Sequence, residues 1–222
     1  VTAILIRRFF SMDPKERMIT VHMKERGIKS EEVLDAFKKV DRADFVLSQD
    51  RERAYVDSPL SIGHGQTISQ PYIVALTVEA LKLKKTDRVL ELGTGSGFEA
   101  AIIAELCGEL TTIERIPELA DKARILLEKL GYKNITVITG DGSVGYPEKA
   151  PYDAIAVSAA APEIPPSLIE QLAENGRMVI PVGKGGFQEL IFLEKDDKGR
   201  IIEKKNICDC MFVPLIGKEG FE

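Results

Sequence analysis

The chain has 222 residues, 44% hydrophobic and 29% charged, enough apolar material for the core of one domain, alone or with an N-terminal extension. A net charge of −5 argues against a general nucleic-acid binder, which carries a basic stripe, and no apolar run approaches the ~18 residues that span a bilayer. Three cysteines make no disulfide framework, and the opening VTAILIRRFF runs apolar then basic, the reverse of a signal peptide; the expected location is the cytoplasm.

The first eighty residues read mostly as helix. The apolar start (Ile4, Leu5, Ile6, Phe9, Phe10) is a candidate for packing on the domain, for assembly or for partial disorder. Asp13-Pro14 begins a helix with proline in its first turn; Gly27 ends it, with His22 inside it as a structural residue. Ser30 caps a second helix, with Glu31 and Glu32 near its positive end and Val33, Leu34, Phe37 and Val40 along one apolar face. Residues 54–68 (AYVDSPLSIGHGQTI) break the pattern with Pro and Gly and read as an extended loop. A helix resumes around Pro71 and runs to Leu81.

From Arg88 strands alternate with helices. Strands are expected at 88–93, 109–114, 135–138, 152–158 and 177–182, and helices at 98–107, 117–130 and 166–174. Such alternation predicts a parallel sheet covered on both faces. After Gly183 only strands follow, 189–194 and 201–213, joined by the turn Asp196-Asp197-Lys198-Gly199. The expected fold is α/β: a doubly wound, Rossmann-like sheet over residues 81–222 with an antiparallel C-terminal edge, and a helical N-terminal portion over residues 1–80 packed on it. Cys208 and Cys210 alternate along the last strand, with no histidine or second cysteine pair near them to hold a metal.

The most informative stretch is Val89 to Phe98. A short apolar strand carrying Glu91 runs into Gly93, Gly95 and Gly97, with Thr94 and Ser96 between them, and an Ala/Ile-rich helix follows. Glycine lets the backbone turn tightly and approach a ligand, and the helix start offers unpaired N–H groups. The spacing is G-x-G-x-G, not the G-x-G-x-x-G of a dinucleotide site. Acid followed by G-x-G-x-G resembles the first motif of Rossmann-like methyltransferases that use S-adenosylmethionine. Glu114 closes the second strand roughly 20 residues after Gly93, where an acid reaches the ribose hydroxyls of a ligand in doubly wound folds. After the third strand comes Gly140-Asp141-Gly142. Asp141 suits an exocyclic amine there, and Gly142 lets the chain pass close to a flat base. The expected order is methionine part, ribose and adenine at Gly93, Glu114 and Asp141.

Seven collinear blocks between about residue 30 and residue 215 make the reading specific: Ser61 to Pro71 (SIGHGQTISQP), Leu90 to Gly97, Gly140-Asp141-Gly142 with Tyr146-Pro147-Glu148, Pro151 to Ile155, Ala159 to Pro165, Gly176 to Gly183, and Phe212 to Leu215. Together they resemble the protein-L-isoaspartate O-methyltransferases. The resemblance implies methylation of the α-carboxylate of L-isoaspartyl residues in damaged proteins and peptides. The ester then collapses to a succinimide without the enzyme, and hydrolysis returns some normal aspartyl linkage. It makes Ser69 the active-site serine, in an orienting role; Ser69 also stands where a plain helix N-cap would. Thr67 and Ile68 line the same loop, and Val213 and Leu215 run beside the substrate. Gln66, Thr67, Ser69 and Arg115 join Glu91, Gly93, Thr94, Gly95, Ser96, Gly97, Glu114, Asp141 and Gly142 around the cofactor, with no metal, nucleic acid or membrane involved. Gly63 and Gly65 point to a loop that moves. The chemistry is compatible: a carboxylate of pKa ~4 is ionised at neutral pH and attacks a sulfonium methyl directly, so His64 is not needed as a base.

Other classes fit less well. NAD binding wants the third glycine one residue later. Ser96 lies in Thr94-Gly95-Ser96-Gly97, outside an esterase G-x-S-x-G elbow. Ser158-Ala159-Ala160-Ala161 stands where amino-group methyltransferases of nucleic acids carry Asn/Asp-Pro-Pro-aromatic, and no cysteine follows a proline as cytosine C5 methylation requires. Methylation of a small carboxylic acid or hydroxyl, and a non-catalytic cofactor-binding module, remain as alternatives. Richness in Lys and Glu hints at heat tolerance.

Overall fold

Asp13 opens the first helix as expected: its carboxylate accepts from the N–H groups of Lys15 and Glu16 at 2.9 and 3.2 Å, and α1 spans Pro14–His22. The computed structural model describes residues 12–184 and 186–222, so the apolar start from Ile4 to Phe10 lies outside the described residues. The helix does not continue to Gly27. Met23 interrupts it, and a separate 3-10 turn, Lys24–Arg26, leads into Gly27 at φ 105°. Ser30 Oγ accepts from Val33 N–H at 3.2 Å and starts α2 (Glu31–Lys39), which buries Val33, Leu34, Ala36 and Phe37.

Residues 54–68 are more than a loop. Strands β1 (Leu60–Gly63) and β2 (Gln66–Ile68) pair antiparallel, with Leu60 opposite Ile68 and Ser61 opposite Thr67. The turn between them holds Gly63, His64 and Gly65 at φ 89°, 54° and 70°. Two glycines allow that left-handed run, while His64 adopts it at a steric cost. Helix α3 (Pro71–Leu81) follows.

The remaining elements are β3 (Arg88–Leu92), α4 (Phe98–Ala104), β4 (Glu109–Glu114), α5 (Pro117–Lys129), β5 (Ile135–Thr139), β6 (Tyr152–Val157), α6 (Pro166–Gln171), β7 (Leu172–Lys184), β8 (Phe187–Lys195) and β9 (Ile201–Cys210). They form a seven-stranded sheet in the order β5-β4-β3-β6-β7-β8-β9. Strands β5 to β7 are parallel, and β8 and β9 are antiparallel additions at the edge. Two boundaries depart from the pattern read in the sequence. Helix α6 stops at Gln171 because Leu172 pairs across to Tyr152 and starts a long, irregular β7. Strand β9 stops at Cys210, before Val213-Pro214-Leu215, where proline has no N–H for a ladder. Val213 and Leu215 bond Ala160 instead, beyond the end of β6, at 2.8 and 2.7 Å.

Both sheet faces are covered. Leu90, Leu92, Ile155 and Val157 lie in one apolar cluster; Val89, Ala154 and Ala156 lie in the other, together with Met18, Leu34 and Phe37 from the N-terminal helices. Phe37 and Phe45 meet the Phe98 ring edge-on at centroid distances of 5.8 and 5.6 Å. The N-terminal helices and the sheet therefore share one core. Among the described residues no helix is long and apolar enough to cross a membrane.

Candidate functional site

The strand order reverses between β3 and β6, and ligands of open α/β sheets bind outside the carboxyl ends of strands at such a point. Gly93 and Gly95 leave β3 at φ 94° and 53°. A Cβ added at Gly95 would lie 3.3 Å from Ile62 Cδ1, so the β1–β2 hairpin rests directly on the glycine turn. Glu114, at the end of β4, is buried and holds this turn: its Oε2 accepts from Gly95 N–H and its Oε1 from Ile116 N–H, both at 2.9 Å.

Three adjoining clefts follow. The first is lined by Gly93, Gly95, Glu114, Arg115 and Gly142 on the sheet side. Gln66 and Thr67 of the hairpin, with Val213 and Leu215, face them. The second lies deeper, between Thr67, Ile68 and Ser69 and the turn residues Thr94, Gly95 and Ser96, with Glu99 at its wall. The third is an outer groove bordered by Ser69, Gln70, Ile73 and residues 209–213. Thr67 and Ser158 line all three.

Most expected site residues are thus brought together, and three are not on the cleft walls. Gly97 is the N-cap of α4 and packs toward Leu127, with an added Cβ 3.3 Å from Leu127 Cδ1. Glu91 lies beneath the turn, buried. Asp141 turns to its own neighbourhood: Oδ1 accepts from Ser143 N–H and Oγ at 2.8 and 2.7 Å, and Oδ2 from Lys218 N–H at 2.8 Å. Desolvation opposes it, yet these bonds hold the Asp141 carboxyl below its ordinary range. Its visible work is to anchor the C-terminal segment whose residues 213–216 wall the first cleft. Two residues that sequence reasoning passed over, Ser158 and Glu99, stand at the walls. The signal for Ser158 was its place at the end of β6, level with the ends of β3 and β4.

Ser69 is not a helix cap. Gln70 is the N-cap of α3, and that helix start has no side-chain cap bond of its own. Asp57 supplies one from a distance, its Oδ1 accepting from Tyr72 N–H at 3.0 Å. The Ser69 carbonyl is held instead by Arg42, fully buried, whose guanidinium donates to the carbonyls of Ala54, Ser58 and Ser69 at 2.5, 3.1 and 2.9 Å. Burial pulls the Arg42 pKa down to about 10, and the nearby Asp57 charge opposes it. His64 is in the hairpin turn and lines none of the three clefts.

Beneath the turn two carboxyls are buried on the same side of the sheet. Thr112 Oγ1, opposite Glu91 in the β3–β4 register, donates to Glu91 Oε2 at 2.5 Å and meets Thr94 Oγ1 at 2.6 Å. Burial, and then the neighbouring Glu99, push Glu91 well above the carboxylate range. Glu99 is pushed up to about 7 by burial, with Ser158 opposing. A carboxyl that stays protonated longer in the folded than in the unfolded state stabilises the fold at low pH, and that contribution is lost as pH rises through the folded value. Relative to Glu99→Gln, the unsubstituted protein should therefore lose on the order of 3 kcal/mol between pH 4 and pH 8. Urea denaturation of both proteins at the two pH values reads this difference; identical pH dependence would refute it.

The donor set suits an adenosyl sulfonium ligand: a glycine turn for the amino-acid part and a carboxylate for a ribose. Among the described residues no group of His, Cys, Asp and Glu is arranged to hold a metal. Residues 13–220 match the family model described as Protein-L-isoaspartate(D-aspartate) O-methyltransferase (PCMT). A protein-L-isoaspartate O-methyltransferase of Koribacter versatilis is 50% identical over 212 residues, covering 96% of this chain and 94% of that one. One from Methanopyrus kandleri is 51% identical over 213 residues, covering 94% and 93%. A solved protein-L-isoaspartate O-methyltransferase superposes with a TM-score of 0.83 at 29% identity, covering 93% of this chain and 67% of that one. A Plasmodium falciparum protein assigned to the same enzymes, in complex with S-adenosyl-L-homocysteine, gives 0.78 at 27% identity, covering 93% and 99%.

Proposed function

The chain belongs to the protein-L-isoaspartate(D-aspartate) O-methyltransferase family, and from that premise we propose how its own residues carry the reaction. The protein transfers a methyl group from S-adenosylmethionine to the α-carboxylate of L-isoaspartyl residues in damaged proteins and peptides. The cofactor supplies an electrophilic methyl on a positively charged sulfur. The first cleft holds it, with Glu114 accepting from the ribose hydroxyls, the Gly93–Gly95 turn passing close to the methionine part and Gly142 under the base. The substrate peptide runs in the outer groove, against Val213 and Leu215. Ser69 orients the isoaspartyl carboxylate at the inner pocket, and Thr67 separates the two ligands.

One observation carries this reading: Ser69 and the glycine turn line one pocket, which shares Thr67, Gly93, Gly95 and Ser158 with the first cleft and Thr67, Ser69 and Ser158 with the outer groove. No proton need move, because the acceptor carboxylate is ionised at neutral pH. The residues exclude water and set an in-line approach of two opposite charges that cancel as the methyl passes. Residues 12–80 and the sheet work as one unit in this scheme, and composition supports a cytoplasmic setting.

The test is methyl transfer from radiolabelled S-adenosylmethionine to two synthetic peptides, one with L-isoaspartate and one with normal aspartate. Base-labile label on the isoaspartyl peptide alone is the expected result; no label on either, with the cofactor bound, would direct attention to small carboxylic acids or a binding role. In the same assay Ser69→Ala should lower kcat about 10- to 100-fold while cofactor affinity stays within about twofold. Full activity in that variant would remove the orienting role.

A further inference from the structure

Ser158 is, with Thr67, the residue common to the cofactor cleft, the inner pocket and the outer groove. Its Oγ lies 2.8 Å from Oε2 of Glu99, a side chain 59 positions away that lines the inner pocket beside Ser69. Glu99 is 8% exposed, and its other oxygen, Oε1, is buried without a partner. A hydroxyl so placed has one hydrogen, and the carboxyl decides where it points.

We propose that Glu99 sets the hydrogen-bond polarity of Ser158 toward the substrate: as a neutral acid it donates to Ser158 Oγ, which frees the serine hydrogen for the isoaspartyl carboxylate. As an anion, Glu99 takes that hydrogen, and the serine turns only lone pairs toward an incoming anion. Ionised Glu99 also adds a second negative charge at the pocket wall. The proton count is simple. The neutral site holds two hydrogens between Glu99 and Ser158, one in the bond that joins them and one for the substrate; the ionised site holds one, which stays between them. Glu99 is thus a positioning residue that acts through Ser158, and the proposal rests on the methyl-transfer reading above.

The surroundings favour a neutral Glu99 at the acid end of the working range. Burial pushes its pKa up to about 7. The ionisable neighbour on β3 is Glu91, which burial first and then the Glu99 and Glu114 charges push well above the carboxylate range, against its bond from Thr112. Charged groups on the other packed elements are engaged elsewhere. On α2, Lys38 bonds Asp35 and Lys39 bonds Glu105. On α3, Glu79 accepts from the N–H groups of Lys29 and Ser30. Arg42 stacks over Phe98 at 5.7 Å from the ring centre, but it donates to the backbone carbonyls of Ala54, Ser58 and Ser69. No cation comes to hold Glu99 ionised among these described contacts.

The experiment measures KM for a histidine-free isoaspartyl peptide at saturating S-adenosylmethionine between pH 5.5 and 8.5. In the unsubstituted protein KM should rise about tenfold across this range, since the peptide carboxylate is ionised throughout. Glu99→Gln donates to Ser158 through its amide at every pH, so its KM should lose that rise. Ser158→Ala removes the donor with a small change of volume, so its KM should already lie near the high-pH value of the unsubstituted protein at pH 5.5. It should rise far less than ~10-fold from there, the remainder coming from the Glu99 charge alone. A rise of about tenfold that persists in Glu99→Gln, a flat KM in the unsubstituted protein, or a Ser158→Ala profile that starts low and still rises about tenfold would each overturn the assignment. Absence of methyl transfer by the unsubstituted protein at every pH would remove the methyl-transfer reading and this proposal with it, whereas transfer with the wrong pH profile removes the proposal alone.

Discussion

Replacing Glu114 by alanine should raise the dissociation constant for S-adenosylmethionine about 100-fold, because hydrogen bonds to a charged acceptor are worth ~1.5–3 kcal/mol each. Two effects add. The ribose loses its carboxylate, and the Gly95 and Ile116 N–H groups lose the acceptor that fixes the turn at 2.9 Å on either side. Glu114→Gln separates them: one oxygen remains as an acceptor, so the turn keeps one tether and affinity should fall less. Calorimetric titration of the three proteins with S-adenosylhomocysteine gives the comparison directly. Equal affinity in all three would sink the ribose assignment.

Arg42→Met should cost about 3–5 kcal/mol of stability and lower kcat more than it weakens cofactor binding. The guanidinium is the donor for three backbone carbonyls, at Ala54, Ser58 and Ser69, in a site sealed from water. Methionine fills the stem but leaves those oxygens without a donor, and an unsatisfied buried acceptor costs more than a missing favourable bond. The chain that loosens carries Ser69, so turnover bears the effect; the glycine turn is tethered separately, by Glu114. Arg42→Lys should rescue little, since a single ammonium cannot span three carbonyls that a planar fork reaches. Urea melts with single-turnover and binding measurements on both variants test this; wild-type kcat in Arg42→Met would show that Ser69 is held by other means.

Much of this was legible in the sequence, for physical reasons. Strands β3 and β6 are buried on both faces and announce themselves as short apolar runs, and the glycine spacing marks the turn that follows β3. The hairpin over residues 60–68 was not legible: four- and three-residue strands are too short for a period-2 pattern to stand out from a Pro/Gly loop. The start of β7 was also hidden, because the segment after Leu172 is polar and only pairing to Tyr152 draws it into the sheet. The bond from Lys218 N–H to Asp141 Oδ2 spans 77 positions, and the pairing of Ser158 with Glu99 spans 59. Local sequence carries no trace of either. A strand end says that a side chain reaches the site; it does not say which distant partner claims its hydrogen.

Met18, Leu34 and Phe37 sit in the same apolar cluster as the sheet residues Val89 and Ala154. Thermodynamic linkage then acts on the whole molecule: a ligand that binds only the folded state protects whatever must unfold with the site. In hydrogen exchange, amides of α1 and α2 should slow when the cofactor is present, although neither helix lines its cleft. Proteolysis should find no early cut that frees the amino-terminal helices from a surviving sheet. Damaged proteins are this molecule's substrates, and its own resistance to opening should be shared between the N-terminal helices and the sheet that carries the site.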